Sequence, residues 1–398
     1  MKRMILLGCI FLLLLSGCSP RTEEREVSEK KRPTVVESPP LSADLGEIRA
    51  VWITQFELKP LFALSEDSFR DSFAEMMETC LDFGLNTVFV QVRPNGDAFY
   101  PSSYFPWSVY VSGTAGKGSG YDPLAIMLEE AHRVGIALHA WINPYRLQPV
   151  TQMEGLPDTY LTRRWYGLKD EDRIVTVNGV CYLNPGYEEA RQLIADGVRE
   201  LLEKYDLDGI HLDDYFYPTT DPSFDAAAYA KNGNGDPLDE FRRFNVDETL
   251  KIIYDTVKSY DPDLPFSVSP SGNLEGNYTK LYADVGKWLT QPGYLDWIVP
   301  QIYWNYEHDT RPFARTLQQW EQTVTAPKIR LIPGLACYKI ANGEWSTIGD
   351  TLSRMVSDSR DQPHYGGVAF YSYASLFQAG EVMTAEKEAV QTLLQIYG

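Results

Sequence analysis

The chain has 398 residues, of which 36 are Lys or Arg and 55 are Asp or Glu, and its formal charge of −19 excludes a phosphate backbone as a natural partner. Nucleic acid is therefore not expected to bind. Hydrophobic residues make up 44 %, enough for a sizeable core, and 25 Tyr with 9 Trp form a heavy aromatic load whose rings serve either a core or a stacking surface.

The first segment reads as an address. Lys2 and Arg3 precede an apolar run over 4–15, too short for a membrane-spanning helix, and Leu15-Ser16-Gly17-Cys18 follows as a lipobox. This predicts a signal peptide over 1–17, cleavage before Cys18 and acylation of its thiol, which would anchor the protein by lipid outside the cytoplasm of a bacterium. Residues 18–44 are rich in Arg, Glu, Lys, Ser and Pro and read as a disordered tether. The remaining cysteines, Cys80, Cys181 and Cys337, are sparse and odd in number, with neither a disulfide framework nor metal spacing. No cofactor or metal is expected, and nothing in the sequence fixes an oligomeric state.

From 45 to 398 no second linker interrupts the chain, so a single domain is expected. Strand patterns fall at 48–53, 87–92, 137–142, 209–213, 266–269, 297–302, 329–335 and 368–371. Helical patterns fill the gaps at 69–83, 124–134, 188–205, 240–260, 281–289 and 313–323, with weaker ones at 348–359 and 385–396. Eight such units predict an α/β fold, a single (β/α)8 TIM barrel. Its long βα loops would lie at 147–180 and 219–237. The glycine-rich segment 113–120 lacks a phosphate-loop signature and reads as a flexible loop, with Asp122 near the next N-cap.

The most informative stretch is Asp208 to Pro218, DGIHLDDYFYP, where a short buried strand runs into two adjacent carboxylates and then aromatics. In parallel α/β folds the site lies at the carboxyl ends of the strands, which is where Asp213 and Asp214 fall. Side chains two apart share a strand face. That spacing pairs Gln91 with Arg93, joins His139, Trp141 and Asn143, and pairs His211 with Asp213 and Gln301 with Tyr303. These faces are expected to point into the barrel mouth, with Gln91, His139, His211 and Gln301 one layer below Arg93, Asn143, Asp213 and Tyr303. The two histidines read as hydrogen-bonded core groups in preference to general bases or metal ligands. A structural alternative for Asp213 is a helix cap or a pair with Arg93.

The runs GLNTVFVQVRPNGDAFY from Gly84, GIALHAWINPYR from Gly135, DGIHLDDYFYP and DWIVPQIYWN from Asp296 resemble the bacterial family 10 glycosyl-hydrolase-like lipoproteins. The resemblance runs in order from about Gly46 to Tyr373. It implies a TIM barrel that cleaves glycosidic bonds, with peptidoglycan glycan strands stripped of stem peptides as a substrate of some members. A more distant likeness to family 18 chitinases, DGxDxDxE on the fourth strand, departs here: the face that should read Asp, Asp, Glu reads His211, Asp213, Tyr215. His211-x-Asp213 also matches, over a short span, the Arg-x-Asp spacing of amylase-like barrels.

With that resemblance, Asp213 is expected to be the principal catalytic carboxylate and Asp214 the nearest second one. Glu307, beyond the sixth strand, is the preferred distal acid, with Glu57, Asp97 and Glu275 as alternatives. Gln91, Asp97, Asn143, Gln301 and Asn305 are candidate polar contacts to sugar, and Trp141, Tyr145, Tyr215, Tyr303, Trp304 and Tyr371 candidate stacking groups. At least one of Arg93 and Arg146 is expected to meet a lactyl carboxylate, the alternative for each being to tie a loop to one of the many acidic residues. The alternative is a lipoprotein that binds envelope glycan without cutting it, which needs the amides and aromatics but not the carboxylates.

Overall fold

The computed structural model describes residues 46–168 and 171–396; the signal peptide, Cys18 and the tether lie outside them. Strands β1 (Ile48–Ile53), β2 (Thr87–Arg93) and β3 (Ala137–Ile142) are buried along almost their whole length, as strands covered on both faces must be. The chain then leaves the barrel. Arg146–Pro149 (β4), Ile174–Val177 (β5) and Val180–Leu183 (β6) form a separate antiparallel sheet in the order β4-β6-β5, where the sequence pattern suggested only a loop. It returns as β7 (Gly209–Leu212), β8 (Phe266–Val268), β9 (Trp297–Ile298), β10 (Arg330–Leu331), β11 (Gly334–Ala336) and β12 (Gly367–Tyr371).

The large sheet is parallel throughout, in the order β10-β9-β8-β7-β3-β2-β1-β12-β11. Its two ends belong to one run of chain, because β10 pairs with β9 and β11, three residues on, pairs with β12. Across the break Ile332 N–H donates to the Ile298 carbonyl at 2.9 Å and Ala369 N–H to the Pro333 carbonyl at 3.0 Å. Pro333 lacks an N–H and interrupts the strand without opening the barrel. Eight staves result. Pro300 acts similarly on β9, which stops at Ile298 where the hydrophobic pattern continued to 302.

Helices cover the outside: α1 (Glu66–Phe83), α2 (Pro123–Arg133), α3 (Glu188–Lys204), α4 (Leu238–Tyr260), α5 (Phe313–Thr323), α6 (Thr351–Arg360) and α7 (Thr384–Ile396). Between β8 and β9, two short helices, Leu274–Lys280 and Val285–Thr290, replace the single one expected. Helix α1 starts on the Ser65 hydroxyl, which accepts from Ser68 N–H, and stops at Gly84, whose φ of 95° is costly for any residue with a Cβ. Asp122 caps α2 by accepting from the N–H groups of Leu124 and Ala125.

Two cores follow from the alternation of strand side chains. The outer one lies between sheet and helices; the inner one fills the barrel with Ile48, Ala50, Trp52, Phe89, Trp141, Trp297, Val299, Ile332 and Ala369. Both predicted lower-layer histidines sit among these inner rings. His211 accepts from Trp52 Nε1 at 3.0 Å, meets the Ser267 hydroxyl at 2.8 Å through Nδ1, and stacks on Phe89 at 4.1 Å between centroids. Burial holds it well below the usual imidazole range. His139 stacks on Trp297 at 4.9 Å and is pushed down to about 4 by burial. Both are neutral packing groups.

Candidate active site

Above the inner core the barrel mouth opens into two chambers that share Trp141, Tyr215 and Tyr371 as a common wall. The larger, about 520 Å³, also holds Asp213, Asp214, Gln301, Tyr303, Tyr182 and Tyr338. The smaller, about 240 Å³, holds Gln55, Gln91, Asn95, Asp97, Asn143 and Arg146.

Asp213 directly follows β7, with 3 % of its surface exposed. Its Oδ2 accepts from Trp141 Nε1 at 3.0 Å and its Oδ1 from Tyr215 N–H at 3.2 Å. Burial and the neighbouring Asp214 push its carboxyl well above the ordinary aspartate range, and the two hydrogen bonds and Arg146 only partly oppose them. Asp214 is raised as well, chiefly by burial, against a Gln301 amide that favours its charged form. Two adjacent carboxyls in a desolvated pocket hold a proton at pH values where an exposed aspartate has lost it, and they titrate as a pair.

Asp97 is the third carboxylate of the cleft. It follows β2 on the loop that carries Asn95, whose N–H donates to Asp97 Oδ1 at 3.1 Å. Burial pushes it up to about 6, against hydrogen bonds from Ser108 and backbone and the charge of Arg146. Beside it the amides form a chain. Asn95 Nδ2 donates to Gln55 Oε1 at 3.2 Å, Gln55 N–H to Gln91 Oε1 at 2.9 Å, and Gln91 Nε2 to Asn143 Oδ1 at 3.1 Å. Such a chain fixes amide orientation before any ligand arrives. The Arg146 guanidinium lies 5.2 Å from the centre of the Tyr215 ring. It makes no ion pair within 4 Å among the described residues, and its buried Nε has no hydrogen-bond partner among them. Tyr303, Tyr338 and Tyr371 form a mutual cluster with centroids 5.7–5.9 Å apart in the larger chamber.

Several predicted residues lie elsewhere. Arg93 does not share a face with Gln91, because β2 is bulged between them: Gln91 pairs with Trp141 while Arg93 pairs with Ile142. Ile142 belongs to the outer core, and Arg93 follows it there, its guanidinium 4.3 Å from the Phe105 ring and its pKa lowered to about 10 by burial. Tyr145 is fully buried with its hydroxyl donating to Thr249 on α4 at 2.8 Å, a packing role. Glu307 is exposed and lines neither chamber. Trp304 and Asn305 also line neither, although Tyr303 beside them does. Glu57 is spent on structure: it completes a capping box with Thr54 and accepts from the Ser372 hydroxyl at 2.6 Å and Ala374 N–H at 2.9 Å. Glu275 lies in a separate cleft on the barrel flank.

Sequence reasoning missed Gln55, Asn95, Tyr110, Tyr182 and Tyr338, all of which line a chamber. The alternation in Val180–Leu183 was the one local signal for Tyr182, and Asn95 lies inside the RPNGD run already singled out.

An eight-stave parallel barrel with buried carboxyls in an aromatic, amide-lined mouth is the architecture of a glycan-acting hydrolase. The glycoside hydrolase domain of PgaB (BpsB) from Bordetella bronchiseptica has the same fold, with a TM-score of 0.60 at 14 % identity over 87 % of this chain and 99 % of that one. The catalytic domain of a β-amylase from Paenibacillus polymyxa superposes with a TM-score of 0.57 at 10 % identity, over 88 % and 99 % of the two chains. The family described as Glycosyl hydrolase-like 10 matches residues 47–347, and the chain belongs to it. Among similar proteins, the glycosyl hydrolase YngK of Bacillus subtilis (strain 168) is 35 % identical over 351 residues, covering 80 % of this chain and 68 % of its own. The glycosyl hydrolase DigH of Escherichia coli (strain K12) is 30 % identical over 369 residues, covering 84 % and 82 %.

Proposed function

We propose that this protein is a glycoside hydrolase of the bacterial cell envelope, lipid-anchored through Cys18, that cuts O-glycosyl bonds in an N-acetylated glycan. Peptidoglycan strands without stem peptides are the substrate this reading favours. The observation that carries it is the placement of Asp213: nine-tenths and more buried, hydrogen-bonded to Trp141, and raised in pKa at the floor of a polar, aromatic cleft. A carboxyl kept protonated is what a departing glycosidic oxygen requires.

In this mechanism Asp213 delivers its proton to the bridging oxygen as the bond from that oxygen to the anomeric carbon breaks. Asp214, in its charged form beside it and bonded by the Gln301 amide, stabilises the positive charge that develops on the sugar; water then adds its hydroxyl to the anomeric carbon and gives its remaining proton to Asp213, which restores the acid. Tyr303, Tyr338 and Tyr371 offer ring faces to sugars on one side. The amides and Asp97 offer partners to hydroxyls and acetamido groups on the other. Arg146, which has no carboxylate within 4 Å among the described residues, is the group for a lactyl carboxylate, and it supports strands whose lactyl groups are free of peptide. The test is release of new reducing ends from purified glycan strands. Unsaturated ends would identify a lyase instead, and binding without new ends would identify a non-catalytic glycan receptor.

A further inference from the structure

A third cleft, of about 430 Å³, lies on the barrel flank between the segment after β8 and one side of α5 along its length. Its lining is polar, with amides, two arginines and one carboxylate. Asn273, Glu275, Arg311, Arg315, Gln319 and Gln322 face it. Neither arginine makes an ion pair within 4 Å among the described residues, in a protein whose acidic groups outnumber its basic ones by 55 to 36. Two guanidinium groups against the single carboxylate of Glu275 leave the lining of this concavity net positive in a protein that is otherwise strongly acidic.

The cleft adjoins the central site across the ends of β8 and β9. Ser271 bridges to Gln301, which lines the chamber of Asp214, and the next residue, Gly272, lines the flank cleft. On the other stave, Tyr303 lines the chamber and Trp304 stands beside it, with the Arg311 guanidinium 5.6 Å from its ring centre. Gly272 makes this approach possible: a Cβ there would stand 2.6 Å from the Trp304 ring and 2.3 Å from the Gln301 carbonyl oxygen. The Trp304 indole and the Arg311 guanidinium thus lie just beyond the edge of the catalytic chamber formed by Gln301 and Tyr303.

We infer that this flank cleft is a distal subsite that holds a carboxylate-bearing sugar of the same glycan strand whose bond is cut at Asp213. The inference rests on the hydrolase reading of the central cleft. Arg311 and Arg315 take the carboxylate in charge-assisted hydrogen bonds, and the amides of Asn273, Gln319 and Gln322 take ring hydroxyls. Engaging a second sugar on one strand raises the effective concentration of the scissile bond at the chambers, so the benefit goes to long strands and appears in KM.

The experiment compares wild type with the double variant Arg311→Ala, Arg315→Ala on peptide-free glycan strands graded by length, and on the same strands after chemical reduction of their carboxylates. The expected result is unchanged kcat and KM on the shortest cleavable oligosaccharide. On long strands KM rises about tenfold at unchanged kcat, and the rise disappears on carboxyl-reduced strands. Equal KM for both proteins on long strands overturns the subsite, as does an equal loss on short and long ones. A second arm measures binding of long strands to Asp213→Asn with and without the two arginine changes, where no turnover is needed. Tighter binding to the protein that keeps the arginines supports the subsite even if no glycan is cut, so failure here and failure of the hydrolase reading are told apart.

Discussion

Replacing Asp97 with Asn isolates the cost of burying a charge in the smaller chamber. Asp97 is 2 % exposed, and its carboxyl is pushed from 3.8 up to about 6, first by burial. An upward shift of about two units corresponds to about 3 kcal/mol. Because the folded protein holds this proton more tightly than the unfolded chain does, the group's favourable contribution is complete below about pH 4. It is lost as pH rises through about 6. About 2 kcal/mol of that loss falls between pH 4.5 and pH 7.5. Asn is never charged and keeps one acceptor oxygen for the Asn95 N–H, so the variant does not decline in this window on account of position 97. The lost second oxygen costs the variant a constant amount of about 1 kcal/mol, which the comparison between two pH values cancels. For a domain of this length, 2 kcal/mol is roughly 2–4 °C in melting temperature. Thermal unfolding of both proteins at pH 4.5 and 7.5 should show the variant gaining that margin on wild type as pH rises. A margin that stays constant, or moves in wild type's favour, refutes the buried, proton-retaining Asp97.

Three further outcomes follow from named contacts. Arg146→Ala should slow cleavage of peptide-free strands about tenfold or more while leaving uncharged N-acetyl oligosaccharides little affected, since a charge-assisted pair is worth about 1.5–3 kcal/mol; equal effects on both substrates in initial-rate assays would remove the carboxylate from recognition. Gly209→Ala would place a methyl 2.3 Å from two ring atoms of the buried His139 and should destabilise the barrel by about 1–3 kcal/mol, read by urea unfolding; wild-type stability would mean the floor of the barrel yields more easily than its packing implies. Cys18→Ala should move the protein from the membrane fraction to the soluble one with an unchanged melting temperature, and retention in the membrane would end the lipid-anchor proposal.

The staves were legible because a parallel strand covered on both faces has to be almost wholly apolar, as Ile48–Ile53 and Ala137–Ile142 are apart from Arg49 and His139. Asp213 was legible for the converse reason: two carboxylates at the end of such a run need a cavity. What escaped reading depends on geometry that period-two alternation does not carry. A bulge after Gln91 turned Arg93 from the mouth to the outer core. Proline at 300 and 333 shortened one stave and split another without changing the apolar pattern. Tyr182 reaches the cleft from a small antiparallel sheet inserted after β3, and Tyr338 from the segment after β11, so both come from parts of the chain where strand register says nothing about the mouth. Glu307 is close in sequence to β9, yet the loop after that strand carries it to the surface.

The most direct test of the central claim is the turnover of Asp213→Asn on peptide-free glycan strands, followed by reducing-end release across pH beside wild type. The account predicts a fall in kcat of about a hundredfold or more with the melting temperature retained. In wild type, kcat should decline toward alkaline pH as the buried acid finally loses its proton. A folded Asp213→Asn protein that turns over within tenfold of wild type, with the same alkaline limb, would contradict it.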